Sequence, residues 1–270
     1  MHSGYRRTRH HDRSRRPGSE PATNAEMQGF GPATYGDGFA DVYDHWYGSI
    51  TDADATARFV ADRSAPGPVL ELGVGSGRIV GPLRQAGLDV VGIDASGAML
   101  VECRRRHPDL PLVRGDLAHL PVHGPIGAAL CAFNTLFNLP TLQQQRQLLA
   151  VTAAALHAEG VLIIEAMTGR GLELGPTSSI GVSKMTTDRL VLSATVVDHD
   201  AQTIQGQHVD LTESGGVKLR PWMLRWTTPE ELDDVASDAG LRLAERFEGW
   251  HGEPYTEESD THVSVYRPSV

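Results

Sequence analysis

Three glycines and three carboxylates fall where they could hold a nucleoside. The stretch VLELGVGSGRI, residues 69–79, sets Gly73, Gly75 and Gly77 directly after an apolar run that carries Glu71. Glycine inside a regular element costs roughly 0.5–1 kcal/mol relative to alanine, so such a cluster marks backbone that turns sharply or is closely approached. A glycine-rich turn between a strand and a helix lets a ligand lie against bare amides at the helix N-terminus. The run VVGID ends in Asp94, where a carboxylate can accept from both hydroxyls of a ribose. The run VRGDLAHLP carries Asp116, which can accept from the amino group of an adenine. The spacing G-x-G-x-G differs from the G-x-G-x-x-G of dinucleotide folds, and no G-K-[ST] follows to make a P-loop.

These residues need a frame. The short apolar runs VLEL, VVGID, PLVRGD, GAALCAF and VLIIEA read as strands. Helical patterns separate them. GRIVGPLRQAG stops at Gly87, SGAMLVECRRRHP is capped by Ser96 and ends before Pro108, and TLQQQRQLLAVTAAALHAEG runs to Gly160. Alternation of this kind predicts an α/β, doubly wound, mostly parallel sheet with helices on both faces. After Ala166 the pattern changes. LVLSATVVD, TIQGQHVDL and VKLRPWMLRW read as an antiparallel meander of three strands, with turns near 199–202 and 214–216. TTPEELDDVASDAG is a helix with Thr228 as N-cap and Pro229 at its first position, and LRLAERFEGW and HVSVYRP close the chain as strands. Upstream, Phe39, Val42, Tyr43, Trp46 and Tyr47 recur at the spacing of one amphipathic helix, and TDADATARFVADR predicts a second, capped by Thr51 or Asp52.

Taken together, ELGVGSGR, GIDASGAML, RGDLAHLP and CAFNTLFNL resemble the successive motifs of the class I S-adenosylmethionine-dependent methyltransferases. The resemblance is nearest to small-molecule enzymes of actinobacterial type, including sugar N,N-dimethyltransferases. It implies a Rossmann-like, seven-stranded sheet with its seventh strand antiparallel, in a domain spanning 31–270 with the meander inserted at 182–226. It implies S-adenosylmethionine as cofactor. Gly73, Gly75 and Gly77 would pass under its methionine part, Glu71 would face the ammonium, and Asp94 and Ala95 would hold the ribose. Met99 would pack on the adenine, Asp116 and Leu117 would read its edge, and Phe133 would sit beside the cofactor. Tyr43 would close over the cofactor and face the acceptor. Where the sugar N-methyltransferases place a histidine after strand four, NTLFNLP places Asn138. Asparagine cannot titrate but can hydrogen-bond. The expectation is methyl transfer to a small-molecule amine nitrogen, with Tyr43 and Asn138 as catalytic-site residues that orient it. Transfer to a hydroxyl and a non-catalytic cofactor-binding module stay open as alternatives. His45, His119 and His251 read as surface or structural residues before catalytic ones.

Composition bounds the rest. The 270 residues carry a formal net charge of −10, which argues against a nucleic-acid surface. No apolar run reaches the roughly 18 residues of a membrane-spanning helix. Residues 1–30 are basic, rich in Ser, Pro and Gly and almost free of aliphatics, and read as a disordered tail rather than a signal peptide. Cys103 and Cys131, both in apolar-patterned segments, read as buried free thiols of a cytoplasmic protein. No cluster of metal ligands is visible in the sequence. The expected partner is a small-molecule substrate, not a nucleic acid or a membrane, and a homo-oligomer is left open.

Overall fold

A computed structural model of the chain describes residues 27–269 except Ser49, Thr51 and Pro121. The expected disordered tail lies outside the described residues save for 27–30, and so does Thr51 as a cap. Three helices come first: α1 Thr34–Phe39, α2 Tyr43–Tyr47 and α3 Ala53–Ala61. The single amphipathic helix read from Phe39 to Tyr47 is thus two, because the chain turns between Phe39 and Tyr43 to wrap their aromatic faces around one apolar knot. Asp52 caps α3, its side chain accepting from the backbone N–H of Ala55 at 2.9 Å.

Strand and helix then alternate through β1 Val69–Leu72, α4 Val80–Gln85, β2 Val90–Asp94, α5 Gly97–Arg106, β3 Leu112–Arg114, β4 Ile126–Cys131, α6 Leu142–Ala155 and β5 Leu156–Met167. The helix expected to reach Gly160 ends at Ala155 instead. Leu156 already pairs with Ile126, and a register shift lets the chain bulge before Val161 pairs with Ala128. A short helix α7 Arg170–Glu173 leads into β6 Ser178–Met185, β7 Arg189–Asp198, β8 Thr203–Thr212 and β9 Gly216–Arg225, and the chain ends with α8 Pro229–Asp238, β10 Leu241–Phe247 and β11 Thr261–Pro268.

The main sheet has seven strands in the order β10-β11-β5-β4-β1-β2-β3. The last strand, β11, runs antiparallel to both of its neighbours, β10 and β5, while β1 to β5 are parallel. Period-two alternation along the buried strands feeds two cores. Leu70, Leu72, Ile93, Leu162 and Ile164 pack toward α6 and α8; Val69, Val90, Leu130, Ile163 and Val265 pack toward α3, α4 and α5. The second sheet, order β6-β7-β8-β9, has four antiparallel strands rather than the three read from sequence. The extra strand, β6, is exposed along nearly its whole length, so it carries no buried–exposed alternation to read. No helix among the described residues is long and apolar enough to cross a membrane.

Candidate functional site

The carboxyl ends of β1, β2 and β4 open into a cavity of about 300 Å³, a size typical of small-molecule sites. Its floor is the turn that follows β1. Gly73, Gly75 and Gly77 have φ of +70°, +54° and +78°, a left-handed backbone that side chains other than glycine rarely adopt. Their surroundings differ. A Cβ on Gly75 would meet no atom closer than the Gly73 carbonyl at 4.0 Å and would project into open space. A Cβ on Gly73 would lie 2.5 Å from Cγ2 of Thr135. Gly77 does not line the cavity; a Cβ there would lie 2.7 Å from Sγ of Cys103 and 2.9 Å from Cδ2 of His107. Gly77 therefore lets the turn pack closely on α5.

Acidic groups sit at the places the sequence suggested. Asp94, at the end of β2, lines the cavity with Ala95. Its Oδ2 accepts from the N–H of Gly75 at 2.9 Å and its Oδ1 from the N–H of Ser96 at 2.8 Å. Burial raises its pKa from the ordinary aspartate value, and those two backbone donors partly offset the shift. Asp116 and Leu117 line the cavity as well, although one Asp116 oxygen is engaged in capping the short 3-10 turn Leu117–His119, accepting from Ala118 N–H at 2.9 Å. Met99 is buried on the same wall. Glu71 lies behind the glycine turn, not on the cavity wall. It is buried, its Oε2 has no hydrogen-bond partner, and burial pushes its pKa up to about 8 despite the nearby charge of Arg78.

The N-terminal helices form a cover. Oδ1 of Asp37 accepts from Oγ of Ser96 at 2.6 Å and from the N–H of Ala98 at 3.3 Å, fixing α1 to the N-terminus of α5. Gly36 permits the approach, since a Cβ there would lie 2.4 Å from that of Ser96. Tyr35, Tyr43 and Tyr47 then face the cavity together, with ring centroids 6.3 Å and 5.2 Å apart in sequence order. The Arg78 guanidinium stands 5.0 Å from the Tyr43 ring centre and 5.7 Å from that of Phe133. Burial raises the Tyr35 and Tyr43 phenols above their ordinary pKa, so both remain protonated at neutral pH.

Beyond β4 the chain makes an unusual corner. Phe133 and Asn134 have φ of +49° and +60°. Glu165 of β5 holds the corner, its Oε2 accepting from Phe133 N–H at 2.7 Å and its Oε1 from the Trp250 indole at 2.9 Å. Phe133 and Asn138 both reach the cavity, and the Asn138 amide donates to the Thr135 carbonyl at 3.4 Å. The last wall comes from the second sheet: His208, Trp222 and Leu224. Sequence reasoning passed over Tyr35 and all three of these. Tyr35 had a signal, since Tyr35, Phe39, Tyr43 and Tyr47 recur every four residues. His208 had none, because a strand's alternation does not say which face meets a site. His119 and His251 stand at the surface, each 3.3 Å from an aspartate, Asp116 and Asp52 respectively. His45 contacts Nζ of Lys184 at 2.8 Å, away from the cavity wall.

Residues 69–160 match a family model described as a methyltransferase domain. The whole fold superposes on the CcbJ methyltransferase of Streptomyces caelestis with a TM-score of 0.83 and 35% identity, covering 89% of this chain and 100% of that one. The chain belongs to the class I S-adenosylmethionine-dependent methyltransferases. A glycine/sarcosine N-methyltransferase of Halorhodospira halochloris is 32% identical over 144 residues, 48% of this chain and 52% of that one. A dTDP-3-amino-3,4,6-trideoxy-alpha-D-glucopyranose N,N-dimethyltransferase of Streptomyces venezuelae is 30% identical over 132 residues, 47% of this chain and 56% of that one. The chain thus spans about half the length of these two relatives. S-adenosylmethionine is the family's methyl donor, and the residues here fit it. The bare backbone at Gly75 leaves room for a ligand, and Asp94 and Asp116 present carboxyl groups on the same wall.

Proposed function

We propose that the chain transfers a methyl group from S-adenosylmethionine to an amine nitrogen of a small molecule. The observation that carries this reading is the continuity of the cavity. One end is walled by Gly73, Gly75, Asp94 and Asp116, and the same space continues to Tyr43, Asn138 and the aromatic wall of the second sheet. When bound, the sulfonium supplies an activated methyl group that is lost by in-line displacement, so alignment and exclusion of water contribute much of the rate.

The chain's own residues supply both. Asp94 and Asp116 hold the nucleoside end, and Glu71 neutralises the ammonium. The tyrosine cover keeps water out. The neutral phenol of Tyr43 and the amide of Asn138 orient the acceptor by hydrogen bonds, without taking charge themselves. A neutral amine needs orientation more than a strong base, and neither of these two groups is one. Two of the relatives carry N-methylation in their names, which supports nitrogen over oxygen. The test is a mass-spectrometric screen of amine- and hydroxyl-bearing metabolites with the purified chain and S-adenosylmethionine. The expected product carries its new methyl on nitrogen; products methylated only on oxygen overturn the reading.

A further inference from the structure

Buried polar atoms without partners gather in one part of the molecule. Nδ1 of His208, Nε1 of Trp46, Nε1 of Trp222 and Nε of Arg220 are all closed off from solvent and bonded to nothing among the described residues. Such atoms cost about 1–3 kcal/mol each in a finished core, and two of the side chains that carry them, His208 and Trp222, line the cavity, which marks this wall as one for a polar ligand. His208 is central to the group. Its ring centroid lies 5.8 Å from that of Phe39, 5.5 Å from Trp46 and 6.3 Å from Trp222, the first two edge-to-face. Three rings from α1, α2 and β9 therefore fix the imidazole in place. Opposite Gly206 on β8, Trp222 can lie flat on the strand only because the glycine has no side chain; a Cβ there would come within 2.3 Å of the indole.

Resting on the amine reading above, we infer that His208 is an acceptor-positioning residue, a neutral imidazole that accepts a hydrogen bond from the acceptor's N–H and turns the nitrogen lone pair toward the methyl group. The placement supports this. Within the described cavity wall His208 is the one histidine, and it comes from the second sheet while the cofactor cradle comes from the first. Its surroundings keep it neutral. Arg220 stands directly across the ladder from it on β9, Asp210 follows on β8, Arg189 pairs with Asp210 from β7, and Asp41 reaches Arg220 from the turn between α1 and α2. The two aspartates are already engaged by these arginines. Burial, and then the charge of Arg220, hold the imidazole below the ordinary histidine pKa. With the enclosed Nδ1 carrying the proton, a neutral imidazole keeps Nε2, which is not among the enclosed atoms, free to accept; an imidazolium has no such nitrogen. In the transfer, the nitrogen lone pair forms the new N–C bond, the C–S electron pair stays on sulfur, and the surplus proton of the methylated amine leaves to solvent.

The test compares the wild-type chain with His208→Phe, which keeps an aromatic ring, and His208→Gln, which keeps a hydrogen-bond acceptor. Sarcosine, dimethylamine, cyclohexylamine and D-glucosamine are offered with S-adenosylmethionine, and the one methylated fastest is used throughout. His208→Phe is expected to lower kcat/KM for the amine by about 10–100-fold, as expected for lost orientation, and His208→Gln to recover most of it. Cofactor affinity stays at the wild-type value in both. The pH profile gives a second readout that a packing role does not move. As pH falls, the amine's own protonation lowers kcat/KM with unit slope; below the depressed histidine pKa the wild type steepens to a slope of two, and His208→Gln does not. Wild-type kcat/KM in His208→Phe, a parallel loss of cofactor affinity, or one slope in all three proteins overturns the inference. If the product screen finds the new methyl only on oxygen, the amine reading itself fails and takes this inference with it.

Discussion

The backbone N–H of Gly75 donates to Oδ2 of Asp94 across 2.9 Å. This contact ties the glycine turn after β1 to the acid at the end of β2, which faces the cavity with one backbone hydrogen bond already made to each oxygen. Asp94→Asn keeps the shape and removes the charge. Its expected effect is a loss of about 1–3 kcal/mol in S-adenosylmethionine binding, the magnitude of a charged hydrogen bond. Titration calorimetry measures it, and an unchanged affinity would show that the ribose is held elsewhere.

The glycines of one motif separate into two roles. Gly75→Val fills the open space over the turn and should abolish cofactor binding. Gly77→Ala meets Cys103 and His107 instead, in a left-handed backbone. It should cost about 1–3 kcal/mol of stability through strain and overpacking while the folded fraction still binds cofactor. Thermal melts paired with calorimetry distinguish the two; equal behaviour of both variants contradicts the assignment.

Glu71 should couple cofactor binding to pH. Its carboxyl is pushed up to about 8 by burial, so the ligand-free protein holds it largely protonated at neutral pH. An ammonium favours the ionised form. Cofactor affinity should therefore rise with pH up to about 8 and level off above it, with a proton released on binding at pH 7. Stability runs the other way. Between the ordinary value of 4.5 and about 8 the folded state binds more protons than the unfolded one, so the melting temperature of the free protein falls as pH rises through that window. Glu71→Gln should flatten both trends. Calorimetry in buffers of different ionisation enthalpy counts the proton; a count of zero in the wild type refutes the coupling.

Tyr43 should act by orientation. Its phenol is buried and neutral, so Tyr43→Phe is expected to lower turnover by roughly 10-fold, keep most cofactor affinity and leave the shape of the pH profile unchanged. A pH limb that vanishes with the hydroxyl would make it a base instead.

Much of this was legible from residues alone, and the reasons differ by element. The strands β1, β2, β4 and β5 are apolar and separated by helices, so their parallel order follows from pattern. The glycines and the acids at 94 and 116 lie at strand ends, where backbone geometry ties position to sequence. The end of α6 was not legible, because pairing of Leu156 with Ile126 overrides a run of good helix formers. Nor was β6, whose exposure leaves it no pattern. His208 reaches the site through the docking of one sheet on two short helices, a tertiary fact that local spacing does not encode.

Arg220 reaches across that docking surface. Only 2% exposed, it donates from β9 to the Gly38 carbonyl and to both oxygens of Asp41, and it also pairs with Asp210. The strands of the second sheet that wall the cavity and the helices that cover it are consequently one mechanical part. Modularity is lost at this seam. A chimera that imports another enzyme's β6–β9 in order to change the acceptor also inherits the fit of the roof, and one that lacks a guanidinium at 220 has no buried donor at the seam for Asp41 and the Gly38 carbonyl. Conversely, a donor arginine without Asp41 loses its half-exposed partner on the helices and is held by Asp210 and the Gly38 carbonyl alone. Residues 38–41 and 178–225 have to be exchanged as a unit.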